Sequence, residues 1–360
     1  MKQYVCLSSS PWQAVPTRTQ QLMTRLRDAE VLFFEPPSPR GRGARDGGRR
    51  VRPGLTVYAL PPVLQVDERY SFLFSRGVNK LARFIAAKMD RHRFRDPILW
   101  ATRPDQVHLL DSLPFRGLVY DCDRYWSGFP LEWESDLALS ADVIFAASQG
   151  LMDHLSPCND NIALLPNGVN FPMFSRQEAE LPGDLASIPR PILGWAGTIR
   201  RDLDLSPLLR AAAGLPRCSF VLVGRTEGSA QLRRLSAFPN VHLLGPKAPV
   251  DLPDYLCRFD VCLNLLSGRE QPTDIVPSRI YEYLSTGNPI VSMVGSGQIE
   301  HFPDVIYGAH TAREFSQLCA SALTEVGSWT RCRRRNYGAA AAWSVRADEV
   351  CRILDAIGLC

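Results

Sequence analysis

Short apolar runs alternate with helix-length amphipathic stretches along the first half of the chain. Residues 4–9, 31–36, 55–60, 97–101, 117–121, 143–148 and 162–166 are β-branched or aromatic runs bounded by Pro, Gly, Ser or Asp. Such runs predict buried strands. Helices fit between most of them, at 17–29 and 132–140 for example. From 170 to 190 the periodicity lapses amid Pro172, Pro182 and Pro189, and this stretch is expected to link two domains. A second alternating series follows at 192–197, 219–224, 241–245, 261–266, 289–294 and 305–307. Strands alternating with helices predict parallel βαβ units, so the fold class is α/β with two Rossmann-like halves in tandem. The last stretch, 343–358, patterns as a helix with Val345, Val350, Ile353, Leu354 and Ile357 on one apolar stripe.

A chain of 360 residues suits two domains of roughly 150–200 each. With 45% hydrophobic and 22% charged residues the composition is that of a globular protein. The net charge of +4 is small but uneven: Arg40, Arg42, Arg45, Arg49, Arg50 and Arg52 crowd a glycine-rich stretch, and a second basic run covers 69–95. Residues 37–53 lack periodicity and are expected to form a mobile surface loop. No apolar run reaches the length of a membrane span, and the first residues are too short for a signal-peptide core. The ten cysteines contain no CxxC pair, which points to a reduced, cytoplasmic protein. The six histidines share no spacing with acids that would suggest metal ligands, so no metal is expected.

Elimination narrows the chemistry. There is no P-loop, no complete dinucleotide-binding glycine fingerprint, no HExxH and no GxSxG. What remains is an ordered set of motifs. DVCLNLL (260–266) precedes PSRIYEYLSTGNPIVS (277–292), and ADVIFAAS (141–148) precedes LPNGV (165–169). ILGWAG (192–197), FVLVG (220–224) and NVHLLG (240–245) lie between them. At the other end stand SSSPW (8–12), QQLM (20–23) and VLFFEP (31–36). This set resembles the GT-B glycosyltransferases, and its first part is similar to bacterial enzymes of the teichuronic-acid-biosynthesis type. The resemblance covers nearly the whole chain in order. It implies a GT-B fold with two Rossmann-like domains facing a central cleft. The expected division is an acceptor-binding domain at 1–170, a nucleotide-sugar domain at 190–342 and a C-terminal helix at 343–360 that braces the first domain.

The resemblance also implies a site. Glu282, one turn past the start of the helix that opens near Pro277, would hold the two ribose hydroxyls; its other reading is a solvent-facing helix residue. Arg279 stands where relatives carry a cation for the diphosphate. Arg225 and Arg200 follow strands and join it as donor-binding candidates, although one of Arg200 and Arg201 would face solvent. Many retaining relatives carry an E-x7-E motif; here the first position is Asp274, which leaves a sugar contact and a plain loop residue both open. In the first half, GLVYDCD (117–123) ends in two acids. Asp121 is the candidate base on an acceptor hydroxyl, Asp123 and Ser9 are cleft residues beside the acceptor, and either acid could instead cap a turn.

The function that follows is transfer of a sugar from a UDP- or GDP-sugar donor to a saccharide or lipid-linked acceptor, in cell-surface polysaccharide synthesis. No cofactor is expected, since the nucleotide-sugar is a substrate, and no nucleic-acid partner, since no stacking or groove motif accompanies the arginines. The rivals are a nucleotide-sugar epimerase of the same fold and a non-catalytic sugar-nucleotide-binding protein. An anionic membrane surface is a further partner, read from a basic amphipathic helix at 78–89 preceded by Tyr70, Phe72, Leu73 and Phe74. The other reading of that helix is packing of its apolar face on the first sheet.

Overall fold

The apolar runs assemble into two parallel sheets, one in each of two units of the computed structural model: Met1–Leu165 with Ser344–Cys360, and Pro166–Trp343. The structure describes residues 1–13, 15–37, 47–64, 71–176, 180–268, 270, 273–295 and 297–359. Arg40, Arg42, Arg45, Arg69 and Tyr70 lie outside them.

The first unit opens with β1 (Lys2–Leu7), α1 (Arg18–Met23), β2 (Ala29–Glu35), β3 (Arg49–Arg52), β4 (Leu55–Ala59) and α2 (Ser71–Arg91). It continues through β5 (Ile98–Ala101), a 3-10 helix (Pro104–Ser112), β6 (Gly117–Cys122), α3 (Leu131–Ser140), β7 (Val143–Ala146), α4 (Gln149–Leu155) and β8 (Ile162–Leu164). The sheet order is β3-β4-β2-β1-β5-β6-β7-β8, parallel except for β3. Central strands are buried on both faces, as parallel strands flanked by helices must be.

Two expectations change here, and one reading left open by the sequence is decided. The helix expected at 17–29 ends at Met23, and β2 already begins at Ala29 after a tight turn in which Asp28 has φ 49°. Arg49–Arg52 forms a strand, paired antiparallel with β4, within the stretch read as a loop. A row of arginines gives no apolar signal, and on an edge strand their charge blocks pairing with another chain. In α2, Ala82, Ile85 and Met89 are buried, so its apolar face is packed. Lys88 is buried too, its ammonium 4.8 Å from the centroid of Phe84 and 5.4 Å from that of Tyr58.

The second unit begins with α5 (Phe171–Phe174) and α6 (Gly183–Ala186), then β9 (Ile192–Ala196), α7 (Ser206–Gly214), β10 (Ser219–Val223), α8 (Ala230–Leu235) and β11 (Val241–Gly245). Next come α9 (Leu252–Arg258), β12 (Val261–Asn264), α10 (Ser278–Thr286), β13 (Ile290–Met293), β14 (Tyr307–Ala309), α11 (Ala312–Ala322) and α12 (Ser328–Ala340). Its order is β11-β10-β9-β12-β13-β14, all parallel. Successive residues feed opposite cores: Leu193, Trp195, Phe220 and Leu222 on one face, Ile192, Ala196, Val221 and Val223 on the other. The stretch expected as a linker is part of this unit, because Phe174, Leu185 and Ile188 sit in the second of those cores. The last strand lies at 307–309 rather than 305–307.

The final helix, α13 (Trp343–Ala356), returns to the first unit from Ser344 onward. Lys2 Nζ meets Asp355 Oδ1 at 2.8 Å, and Arg27 meets Asp348 at 2.7 Å. Its buried face is Ala347, Val350, Cys351 and Leu354; Val345 and Ile357 of the expected stripe are exposed. Among the described residues no helix is long and apolar enough to cross a membrane.

Candidate functional site

In the second sheet the chain runs β9, β10, β11 outward in one direction, then returns to place β12 on the other side of β9. That reversal opens a crevice at the carboxyl ends of β9 and β12, where open α/β sheets bind ligands. α10 is tied to both strands. Tyr283 Oη accepts from the Ala196 N–H at 2.9 Å. Arg279 donates from Nε to Asn264 Oδ1 at 2.5 Å, and from Nη2 to Leu265 O at 2.8 Å and Glu270 Oε1 at 2.9 Å. Asn264, fully buried, donates in turn to Ser292 Oγ at 2.8 Å. Gln298, also buried, donates to the carbonyls of Glu270 (2.6 Å) and Thr273 (2.8 Å), which fastens the stretch in front of α10. Arg279 is therefore a strut first, with Nη1 alone left without a bond among the described residues.

Glu282 differs from its neighbours. It is partly exposed yet walled by protein, and lost hydration pushes its carboxyl up to about 7 against the pull of Arg279. Among the described residues no group donates a hydrogen bond to it. Asp274, in the stretch before α10, lies against the loop after β13, its Cβ 3.4 Å from where a Cβ on Gly297 would stand. Arg200 and Arg225 are brought together by pairing of the segments after β9 and β10. Ile199 N–H donates to Arg225 O at 2.7 Å, and Glu227 N–H donates to Ile199 O at 2.7 Å. Both guanidinium groups are exposed; Arg200 meets Asp202 at 3.2 Å, while Arg225 has no side-chain partner among the described residues. Arg201 is exposed as well, so neither arginine of that pair is withdrawn.

In the first sheet the reversal falls between β1 and β5. Asp121 does not stand open there. It lies inside β6 rather than at its end, its side chain is 1% exposed, and Oδ1 takes Nε of Arg18 at 2.9 Å and lies 2.8 Å from Nη2. Burial raises its pKa, and Arg18 opposes the rise. Asp121, the candidate base, is thus enclosed beside a guanidinium, with Oδ1 taken by Arg18. Asp123, just past the strand, is partly exposed but held bidentate by Arg124 at 2.7 and 2.9 Å. Ser9 is half-buried after β1, and its neighbour Ser8 is buried, donating to Ser10 O at 2.7 Å. Sequence reading passed over Arg18, Asn264, Glu270 and Gln298. Asn264 at the end of an apolar strand was the one visible signal, since an amide there needs partners.

Residues 200–352 match a family model described as glycosyl transferase-like. Over 365 residues the chain is 24% identical to TuaH of Bacillus subtilis (strain 168), a protein assigned as a teichuronic acid biosynthesis glycosyltransferase. That match covers 91% of this chain and 89% of that protein. The sucrose-phosphate synthase of Thermosynechococcus elongatus superposes with a TM-score of 0.75 at 16% identity, covering 99% of both chains. A trehalose-6-phosphate enzyme structure from E. coli bound with UDP-2-fluoro glucose gives 0.75 at 11% identity, again over 99% of both.

Proposed function

We propose that this chain, a glycosyltransferase of the GT-B fold, takes its sugar from a UDP-linked donor and places it on a hydroxyl of a saccharide or lipid-linked acceptor during cell-surface polysaccharide synthesis. The observation that carries the reading is Glu282: a carboxylate without a donor among the described residues, on the helix tied to β9 and β12 at the reversal of the second sheet. Two vicinal ribose hydroxyls would satisfy its two oxygens. The diphosphate would lie toward the exposed guanidinium groups of Arg225 and Arg200, with Nη1 of Arg279 as a third cation. UDP as the base follows the neighbour bound with UDP-2-fluoro glucose, and the polysaccharide role follows the likeness to TuaH.

In the transfer the acceptor oxygen forms a bond to the anomeric carbon while the bond from that carbon to the diphosphate oxygen breaks. With Asp121 held by Arg18 and Asp123 by Arg124, the leaving diphosphate is the group that takes the acceptor proton. The reaction belongs at the inner face of the cell membrane, where the exposed Phe72 and Leu73 and the cations Arg76 and Arg83 of α2 would meet anionic lipid.

Calorimetric titration and thermal unfolding with UDP and with GDP test the donor. UDP at 100 times its dissociation constant should add about 2.7 kcal/mol to stability. Equal stabilisation by GDP overturns the choice of base, and no stabilisation by either overturns the donor site.

A further inference from the structure

A groove of about 660 Å³ lies wholly within the second unit, between α7 and α8, and ends where Ser316 of α11 approaches Gly214. The two helices bury Leu208, Ala211, Ala212, Leu232 and Leu235 in the core on that side of the sheet. The residues that line the groove follow at helical spacing on the adjoining faces: Leu209, Arg210 and Ala213 on α7, Gln231 and Arg234 on α8, then Phe238. Its walls are helix flanks rather than strand ends, so it is distinct from the crevice at β9 and β12. The volume is within the range of small-molecule sites, and Ser206 to Gly214 spans roughly 12 Å of helix.

The lining combines two kinds of surface. Leu209 and Phe238 pack on the core yet are only partly buried, which leaves apolar area in the groove. Arg210 on one wall and Arg234 on the other are exposed, and among the described residues neither guanidinium has a bonding partner. Asp204, an acid close in sequence, is turned to the N–H (2.9 Å) and Oγ (3.0 Å) of Ser206. Gln231 accepts from the Leu205 N–H with Oε1 at 3.0 Å, which leaves its amide nitrogen as a further donor at the groove. Donors on both walls of a partly apolar groove fit an anion joined to a flat apolar body. A phosphate monoester matches best: its dianion offers acceptors to two guanidinium forks, and an aromatic ring would cover Leu209 and Phe238.

The same two helices continue the loops that carry Arg200 and Arg225. Those loops are joined where Ile199 N–H donates to Arg225 O at 2.7 Å and Arg201 N–H to Glu227 Oε2 at 3.2 Å. From α8, Gln231 also holds Leu205, the residue that opens α7. An anion shared by Arg210 and Arg234 would fix α7 against α8 and order both loops before a diphosphate arrives. A second ligand that meets loops already ordered binds more tightly.

We propose that this groove is a second anion site, at which a small aromatic phosphate monoester binds and strengthens donor binding. The site itself goes beyond the proposed glycosyl transfer; its coupling to the donor rests on that reading.

The test titrates the full-length protein, saturated with UDP, with phenyl phosphate, inorganic phosphate and phenol by calorimetry. With UDP in the donor crevice, the heat reports the groove. Phenyl phosphate should bind at least about fivefold tighter than inorganic phosphate, and phenol should give no measurable heat. Changing Arg210 and Arg234 together to Gln should weaken phenyl phosphate at least about tenfold and keep the thermal midpoint. Ala213→Leu, which fills the groove and leaves both cations in place, should weaken it similarly. In the parent, saturating phenyl phosphate should tighten UDP about fivefold or more, and in the double variant it should not. Equal binding of phenyl phosphate and inorganic phosphate, undiminished binding in both variants, or displacement of UDP by phenyl phosphate overturns the site. Unchanged UDP affinity in the parent overturns the coupling. If UDP itself does not bind, the donor reading falls, and phenyl phosphate titrated into the parent and the variants still decides the groove.

Discussion

Two carboxylates that look alike in the sequence do opposite work in the structure. Glu282 is partly exposed with its pKa raised to about 7 by lost hydration, whereas Asp121 is enclosed with Arg18. Because the folded pKa of Glu282 lies above the ordinary 4.5, its contribution to stability is full below pH 4.5 and is lost as pH rises through about 7. Relative to the parent, Glu282→Gln should therefore gain stability progressively as pH rises between those values, reaching on the order of 1–3 kcal/mol at pH 8. Chemical denaturation at pH 4.5 and pH 8 measures it, and a difference that does not change with pH refutes it. The same change should weaken UDP about 10- to 150-fold, the loss of one charge-assisted hydrogen bond of roughly 1.5–3 kcal/mol. In the parent, UDP binding at pH 6 should release a proton, visible as a buffer-dependent binding enthalpy that Glu282→Gln abolishes. Asp121→Asn should show up in stability instead. It leaves a buried guanidinium without its charge partner and should cost about 3–5 kcal/mol. Combined with Arg18→Leu the loss should fall well short of the sum of the two single changes. Full additivity in urea denaturation would mean that the pair is not a unit.

At the scale of elements, the junction between β9 and β10 admits the least change. Gly197 N–H donates to Val223 O and Gly224 N–H to Gly245 O, each at 2.9 Å, and a Cβ on Gly224 would stand 1.6 Å from Gly197 O. Gly224 also has φ 145°, a backbone that side chains rarely adopt. Gly224→Ala should destabilise the second unit by about 3 kcal/mol or more and uncouple the segments that carry Arg200 and Arg225. Gly228→Ala, where a Cβ meets nothing within 4 Å, should be close to neutral. Thermal unfolding of both variants decides, and equal midpoints would refute the packing argument. Most strands were legible because parallel strands buried on both faces leave unbroken apolar runs, as at Ile192–Ala196 and Ser219–Val223. The arginine strand β3 was not, since only its pairing with β4 makes it a strand. Arg279 and Glu282 could be picked out through the resemblance of PSRIYEYLSTGNPIVS (277–292) to the GT-B donor motif. The bonds of Arg279 to Asn264 and Glu270 could not, because they depend on where a loop brings residues 15 and 9 positions away.

Across the whole molecule, charge and exposed apolar surface coincide on one helix of the first unit. The sequence presents five cations on α2 as a basic face, Arg76, Lys80, Arg83, Lys88 and Arg91. Burial removes Lys88 from it, and Lys80 donates to Pro62 O at 2.7 Å while staying exposed. Helical spacing could reveal the amphipathic pattern but not this loss, because Lys88 is drawn in by Tyr58 of β4, which spacing along one helix does not report, as well as by Phe84 one turn back on α2. Four exposed cations remain, Arg76, Lys80, Arg83 and Arg91, and near an anionic leaflet each contributes about 1 kcal/mol. Phe72 and Leu73, exposed at the start of the helix, add apolar surface that lipid would cover. The full-length protein should therefore co-sediment with vesicles containing anionic lipid and remain in the supernatant with purely zwitterionic ones. Salt near 1 M, which shortens the screening length to about 3 Å, should release it. Changing Arg76, Lys80 and Arg83 together to Gln should weaken binding roughly 100-fold, and Phe72→Ser should weaken it without altering the salt dependence. Lys88→Gln separates a basic face from a packed one: it should lower the thermal midpoint while leaving vesicle affinity unchanged. Protein that stays in the supernatant with anionic vesicles at low salt would rule out the membrane surface as a partner. Undiminished binding in the triple variant would move the contact away from α2.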